Sequence, residues 1–191
     1  GANTAIFQLL NAVQLRMLPV SHPEELFELH IAKNDHCCSG NFSDRRPNFT
    51  NPQWEQIRAH KQAFSGIFAW GDQRFNLADG GEVRFSEGLW VSGGYFNTLR
   101  IQPLIGRLIT EEDDRPGCGA PGVVVSYPFW QREFGGDPQA VGKNVSLDGH
   151  SLQIMGVAPA NFSGVEVGRH FDVAIPVCAE PLINGEQSHL A

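Results

Sequence analysis

Between Val91 and Phe162 the chain is cut into short pieces by turn residues, and that punctuation limits what it can build. The stretch reads V-S-G-G-Y-F-N-T-L from Val91, I-G-R-L-I-T-E-E-D-D from Ile105, then V-V-V-S-Y-P-F-W-Q-R-E-F-G-G-D from Val123. V-G-K-N-V-S-L-D-G follows from Val141 and I-M-G-V-A-P-A-N-F from Ile154. Glycine supplies backbone angles that other residues avoid, and proline ends helices and ladders, so each punctuated piece becomes one short element. With 21 Gly and 12 Pro in 191 residues, several short elements are expected in place of a few long helices.

The pieces can be read in order. Residues 25–31 alternate through Leu26, Leu29 and Ile31, which predicts a strand. Residues 34–48 are polar and carry Cys37 and Cys38, which predicts a loop. Asn51-Pro52 opens a helix with Asn51 as its cap, and Trp54, Ile57, Lys61 and Phe64 fall on one face before Gly66 stops it. Residues 67–78 and 82–91 flank Asp79-Gly80-Gly81 as a hairpin. Tyr95 to Leu99 is a short helix, residues 111–116 an acidic loop, and Val123 to Val125 a buried strand. Ser126 then caps a helix whose apolar side is Phe129, Trp130 and Phe134, and Gly135-Gly136 ends it. Residues 145–147 and 152–154 alternate around Asp148-Gly149, the strongest hairpin signal in the chain. Residues 172–177 form a last strand. The order β-α-β-β, then β-α-β-β-β, gives an α+β fold of two small lobes with mostly antiparallel sheets and short helices.

No constellation for catalysis emerges. Ser126, Asp148 and His150 supply triad chemistry, but Ser126 stands in V-S-Y-P and lacks the strained elbow that exposes a nucleophile. A helix cap accounts for it. Glu111, Glu112, Asp113 and Asp114 could hold a hard cation, yet the alternating oxygen ligands and fixed glycine of a calcium loop are missing. His30, His36, Cys37 and Cys38 lack the spacing of a zinc site, and Gly93-Gly94 and the Gly164 to Gly168 region lack the order of a phosphate cradle. The reading assigns no catalytic, cofactor-binding or metal residues, no cofactor and no enzymatic activity. The N-x-S/T triplets at Asn41, Asn48, Asn144 and Asn161 are read as incidental.

Charge narrows the partners. The net charge is −7 and no Lys/Arg cluster extends beyond Arg45-Arg46, so nucleic acid and anionic membrane surfaces are disfavoured. Adjacent Cys37 and Cys38 are awkward to join, so any bridge involves Cys118 or Cys178; four thiols are the alternative. Residues 2–18 are apolar and uncharged before Arg16, but too short and too interrupted to span a bilayer alone. They suit either an amphipathic helix or the end of a spanning one.

Several segments carry a family resemblance. G-A-N-T-A-I-F from Gly1, N-A-V-Q-L-R-M-L-P from Asn11 and V-S-G-G-Y-F from Val91 resemble the MacB-like periplasmic core domain of FtsX-type ABC transporter permeases. So do V-V-V-S-Y-P-F-W-Q-R-E-F-G-G-D-P-Q-A-V-G from Val123 and G-V-A-P-A-N-F-S-G-V from Gly156. The likeness is to the long bacterial permeases with duplicated halves. It implies a porter-like lobe and an inserted sabre-like lobe. By analogy residues 1–16 end a first transmembrane helix, 17–92 begin the porter-like lobe, 93–178 form the sabre-like lobe and 179–191 a return segment. It implies a domain on the periplasmic or extracellular side of the cell membrane. There it would transmit ATP-driven helix motion to substrate or partner. The implied partners are the permease's own transmembrane helices, a cytoplasmic ABC ATPase and a periplasmic protein. For such a partner the aromatics of 37–49 and of 162–171 are the expected contacts. A secreted ligand- or carbohydrate-binding module is the competing reading, and a small hydrolase using Ser126 a third.

Overall fold

The computed structural model describes residues 20, 22–29, 49–78, 81–118 and 121–185. The expectations placed on 1–16, on His30 and His36, and on the Cys37-Cys38 loop lie outside these residues.

Four short helices and one sheet make up the described fold. The helices are α1 (Asn51–Ala59), α2 (Tyr95–Thr98), α3 (Tyr127–Phe134) and α4 (Glu180–Asn184). The strands are β1 (Trp70–Asn76), β2 (Phe85–Val91), β3 (Ile105–Gly106), β4 (Gly122–Val125), β5 (Asn144–Leu147), β6 (His150–Val157) and β7 (Val173–Pro176). They pair in the order β1-β2-β7-β4-β6-β3, with β5 also on β6. Most pairings are antiparallel, and β2 with β7 and β4 with β6 run parallel. Strands from both 17–92 and 93–178 therefore share this one sheet, joined where β2 meets β7.

Both faces of the sheet are covered, and the period-2 geometry of a strand sorts its residues between them. Trp90, Val123, Val125, Val173 and Ile175 enter a core with Phe129, Trp130 and Ile183. Their neighbours Leu89, Val91, Val124 and Ala174 enter a second core with Tyr95, Phe96, Phe162 and Phe171. That division explains why V-V-V reads as an unbroken apolar run: β4 is buried on both sides.

Local sequence chemistry sets the ends of the elements. Ser126 Oγ accepts the Phe129 N–H at 3.3 Å, and Gly135 takes the left-handed conformation that ends α3. Asp148-Gly149 joins β5 to β6 with both residues at positive φ, 51° and 81°, as a two-residue hairpin turn of the right hand requires. The sheet then curls until this turn reaches the far end of β1. Asn76 N–H donates to Asp148 Oδ1 at 2.8 Å, and Asp148 N–H donates back to Asn76 O at 2.9 Å.

Three expectations need correction. The alternation over 25–31 does not form a strand within its described part, 25–29. Those residues find no ladder partner among the described residues, and Phe27 is 83% exposed. The cap of α1 is Thr50, one residue before Asn51, because Gln53 Oε1 accepts the Thr50 N–H at 2.8 Å and fixes the first turn there. The helix also ends at Ala59 and a 3-10 turn follows over Lys61–Ala63, well before Gly66. That break in helical phase carries Phe64 off the buried face held by Trp54, leaving it exposed.

Candidate functional site: the junction around Asp114

The parallel strands β2 and β7 end side by side, with Val91 opposite Pro176. Beyond that pair their backbones diverge, and the next N–H groups need acceptors. One carboxylate serves both. Asp114 Oδ2 accepts the Gly93 N–H at 2.9 Å and Oδ1 accepts the Cys178 N–H at 2.9 Å. Gly93 and Cys178 each lie two residues past the last paired position, so Asp114 extends the link where the ladder stops. Arg58 of α1 brings a guanidinium nitrogen to 3.9 Å from the same carboxylate. Asp114 is 6% exposed and thus ties a helix and two strand ends from the interior.

Covalent chemistry reinforces the link. Cys118, at the end of the same acidic turn, is bridged to Cys178 across a sequence separation of 60. Gly93 lets the turn come close: a Cβ there would stand 2.5 Å from Glu111 Cα and 2.7 Å from Thr110 O. No side chain fits, which is the use of the first glycine in V-S-G-G-Y-F. Asp113 holds the turn from outside. It accepts paired bonds from Arg107 at 2.7 and 2.8 Å and from the Thr110 N–H and hydroxyl, both at 2.9 Å.

The two neighbouring carboxylates differ electrostatically. The Arg107 guanidinium, with help from Thr110 and against some burial, holds Asp113 below the usual carboxylate range. Burial pushes Asp114 above it, opposed by the two N–H bonds and by Arg58. Asp113 and Asp114 are thus hydrogen-bonded to protein donors, and Glu112 pairs with Arg115 at 3.7 Å. Among the described residues, His22, Glu24 and Glu25 bring ligand atoms within 4.8 Å of one another, on an exposed turn that closes no coordination shell.

The triad candidates are not brought together. Val125, beside Ser126, is paired with Val157, whereas His150 begins the same strand seven residues earlier, about 23 Å away at the rise of a strand. Ser126 is buried at its helix cap, and Asp148 is spent on Asn76. The aromatics Phe162 and Phe171, expected as outward contacts, are instead buried in the second core. Phe49, from the other expected contact region, is partly exposed. Sequence reasoning missed Arg58 and the role of Gly93. The one available signal was that any bridge would involve Cys118 or Cys178; the structure joins these two to each other.

The comparisons with known proteins agree with this architecture. The family model of the MacB-like periplasmic core domain matches residues 1–189. No curated protein sequence matches the chain. The fold is similar to the extracellular domain of the noncanonic ABC-type transporter YknZ from Gram-positive bacteria, at 18% identity and TM-score 0.53, covering 72% of this chain and 67% of that one. It is also similar to the periplasmic region of MacB from Actinobacillus actinomycetemcomitans, at 18% identity and TM-score 0.56, covering 78% and 67%. At such identity the likeness is one of fold.

Proposed function

The chain belongs to the MacB-like periplasmic core domain family, and from that premise we propose that it is the extracytoplasmic domain of an ABC transporter permease. It works without catalysis, passing ATP-driven motion of the membrane helices to a substrate or a partner. Its partners in this reading are the permease's own transmembrane helices, a cytoplasmic ABC ATPase and a protein outside the membrane. Residues 17–92 and 93–178 are its porter-like and sabre-like parts, with the β2–β7 pairing as their seam. Among the described residues no helix is long and apolar enough to cross a membrane.

The observation that carries the proposal is the Asp114 junction. A body that transmits displacement must not yield where its strands part. Here a buried carboxylate and a disulfide hold two strand exits together. The arrangement offers stiffness at the point where the strands part.

The first test is topological. Alkaline phosphatase fused after residue 191 of the parent protein should be active and remain with the membrane fraction. Soluble, released phosphatase activity would favour a secreted binding module, and an inactive fusion would place the domain in the cytoplasm. A second test addresses catalysis: Ser126→Ala should leave the function of the whole permease intact.

A further inference from the structure

The sequence holds one Asn-Gly pair, Asn184-Gly185, and it stands at the end of α4. An asparagine side chain before glycine can close on the next backbone nitrogen, because glycine has no Cβ to hinder the ring. The fold adds a setting for the Asn184 amide. Gln73 Nε2, on β1, donates to Asn184 Oδ1 at 2.9 Å, and Asn184 Nδ2 donates to Glu180 Oε1 at 2.7 Å. Asn184 Nδ2 also donates to Gln73 Oε1 at 3.3 Å.

Neighbours fix the orientation of both amides. An indole N–H only donates, and Trp90 Nε1 reaches Gln73 Oε1 at 2.8 Å, so Gln73 turns its amide nitrogen toward Asn184 Oδ1. A carboxylate only accepts, so Asn184 turns its own amide nitrogen toward Glu180. Trp90 and Glu180 anchor the chain of bonds from the interior, 8% and 5% exposed. The Asn184 carbonyl oxygen, where negative charge develops when a nucleophile attacks Cγ, therefore already carries a donor. The nitrogen that departs in that attack already carries a proton-transferring group.

We propose that Asn184 is a self-modification site, where the side chain closes on Gly185 N to a succinimide while Gln73 steadies the oxyanion and Glu180 moves the proton. The bond from Gly185 N to Asn184 Cγ forms, and the Cγ–Nδ2 bond breaks. The Gly185 N–H proton passes to Glu180 and on to Nδ2, which leaves as ammonia. Water then opens the ring to aspartate or isoaspartate at this position, with no change of oxidation state. In the structure the Gly185 N–H donates to Pro181 O, so attack begins when this last bond of α4 opens. The product sets a second carboxylate against that of Glu180, where like charges repel. The reaction occurs once per chain, goes beyond the mechanical reading and does not rest on it.

The test is peptide mass mapping of the chain after incubation at neutral pH in heavy-oxygen water, once folded and once unfolded in guanidinium chloride. A site built by the fold reacts faster folded, whereas an Asn-Gly pair acting alone reacts faster unfolded. Conversion at Asn184 is expected about tenfold faster in the folded chain, the combined work of one oxyanion donor and one proton carrier less the opening of the last turn. Gln73→Ala and Glu180→Gln should each remove most of that advantage and leave the unfolded rate unchanged. The wild-type comparison stands without either variant folding. Equal or slower conversion in the folded wild-type chain would overturn the proposal. So would wild-type rates in both variants when their circular dichroism matches the wild type.

Discussion

Asp114 and Asp148 each receive backbone N–H groups that join distant parts of the sheet, but one does so in the interior and the other at an exposed turn. Asp114 collects the Gly93 and Cys178 N–H groups where β2 and β7 part, with a disulfide beside it. Asp148 exchanges bonds with Asn76 to close the curl of the sheet, and its turn is already set by Asp148-Gly149 chemistry. The buried link has no water to replace a lost partner, whereas the exposed one does. The same side chain should therefore matter far more at 114 than at 148.

The largest effect is expected from the covalent half of the buried link. Cys118→Ser with Cys178→Ser removes a bridge spanning 60 residues, and loop entropy puts its contribution at about 4 kcal/mol. Urea unfolding of the double variant measures it apart from Cys37 and Cys38. Gly93→Ala comes next, because a methyl would press on the backbone of Thr110 and Glu111. Overpacking of this kind costs about 3 kcal/mol. Asp148→Ala should cost about 2 kcal/mol, one modest surface hydrogen bond plus the strain of alanine at positive φ. A cost at 148 equal to that at 93 would erase the distinction between buried and exposed closures.

The smallest effect is a pH signature within the acidic turn. Asp113 is held below its ordinary range, so its contribution is present above the unfolded carboxylate pKa and is lost as pH falls through the folded value. Asp114 is raised, so its contribution is present below the unfolded pKa and is lost as pH rises through the folded one. Asp113→Asn should flatten the acid loss of stability, and Asp114→Asn should steepen it. Urea midpoints between about pH 3 and pH 7 read both slopes. A change of slope in the same direction from wild type in both variants would contradict the assignment of the buried carboxylate.

Much of the local structure was legible because it rests on neighbouring residues. Asp148-Gly149 requires positive φ at both positions, and Ser126 with Gly135-Gly136 brackets α3 through bonds made within a few residues. What pattern alone did not give depends on long-range pairing. The parallel contacts of β2 with β7 and β4 with β6 join segments whose own alternation fits many neighbours. The alternation over 25–31 shows the converse, since a strand pattern makes no strand without a partner ladder. Four successive acids look alike in sequence, and only the fold decides that Asp114 is the one turned inward. The Cys118–Cys178 pairing was narrowed by the awkward adjacency of Cys37 and Cys38, but choosing it required the strand order.

The central claim is that the domain moves as one stiff body whose strand exits do not separate. Spin labels on Glu112 in the acidic turn and on Val83 near the β1–β2 turn, both exposed, report this directly in the assembled permease. Pulsed electron resonance distances would be recorded without nucleotide and with ATP. A constant distance between the two labels is expected, while the distance from Glu112 to a label on a membrane helix changes. A changing distance within the domain, or a fixed distance to the membrane helix, would contradict it.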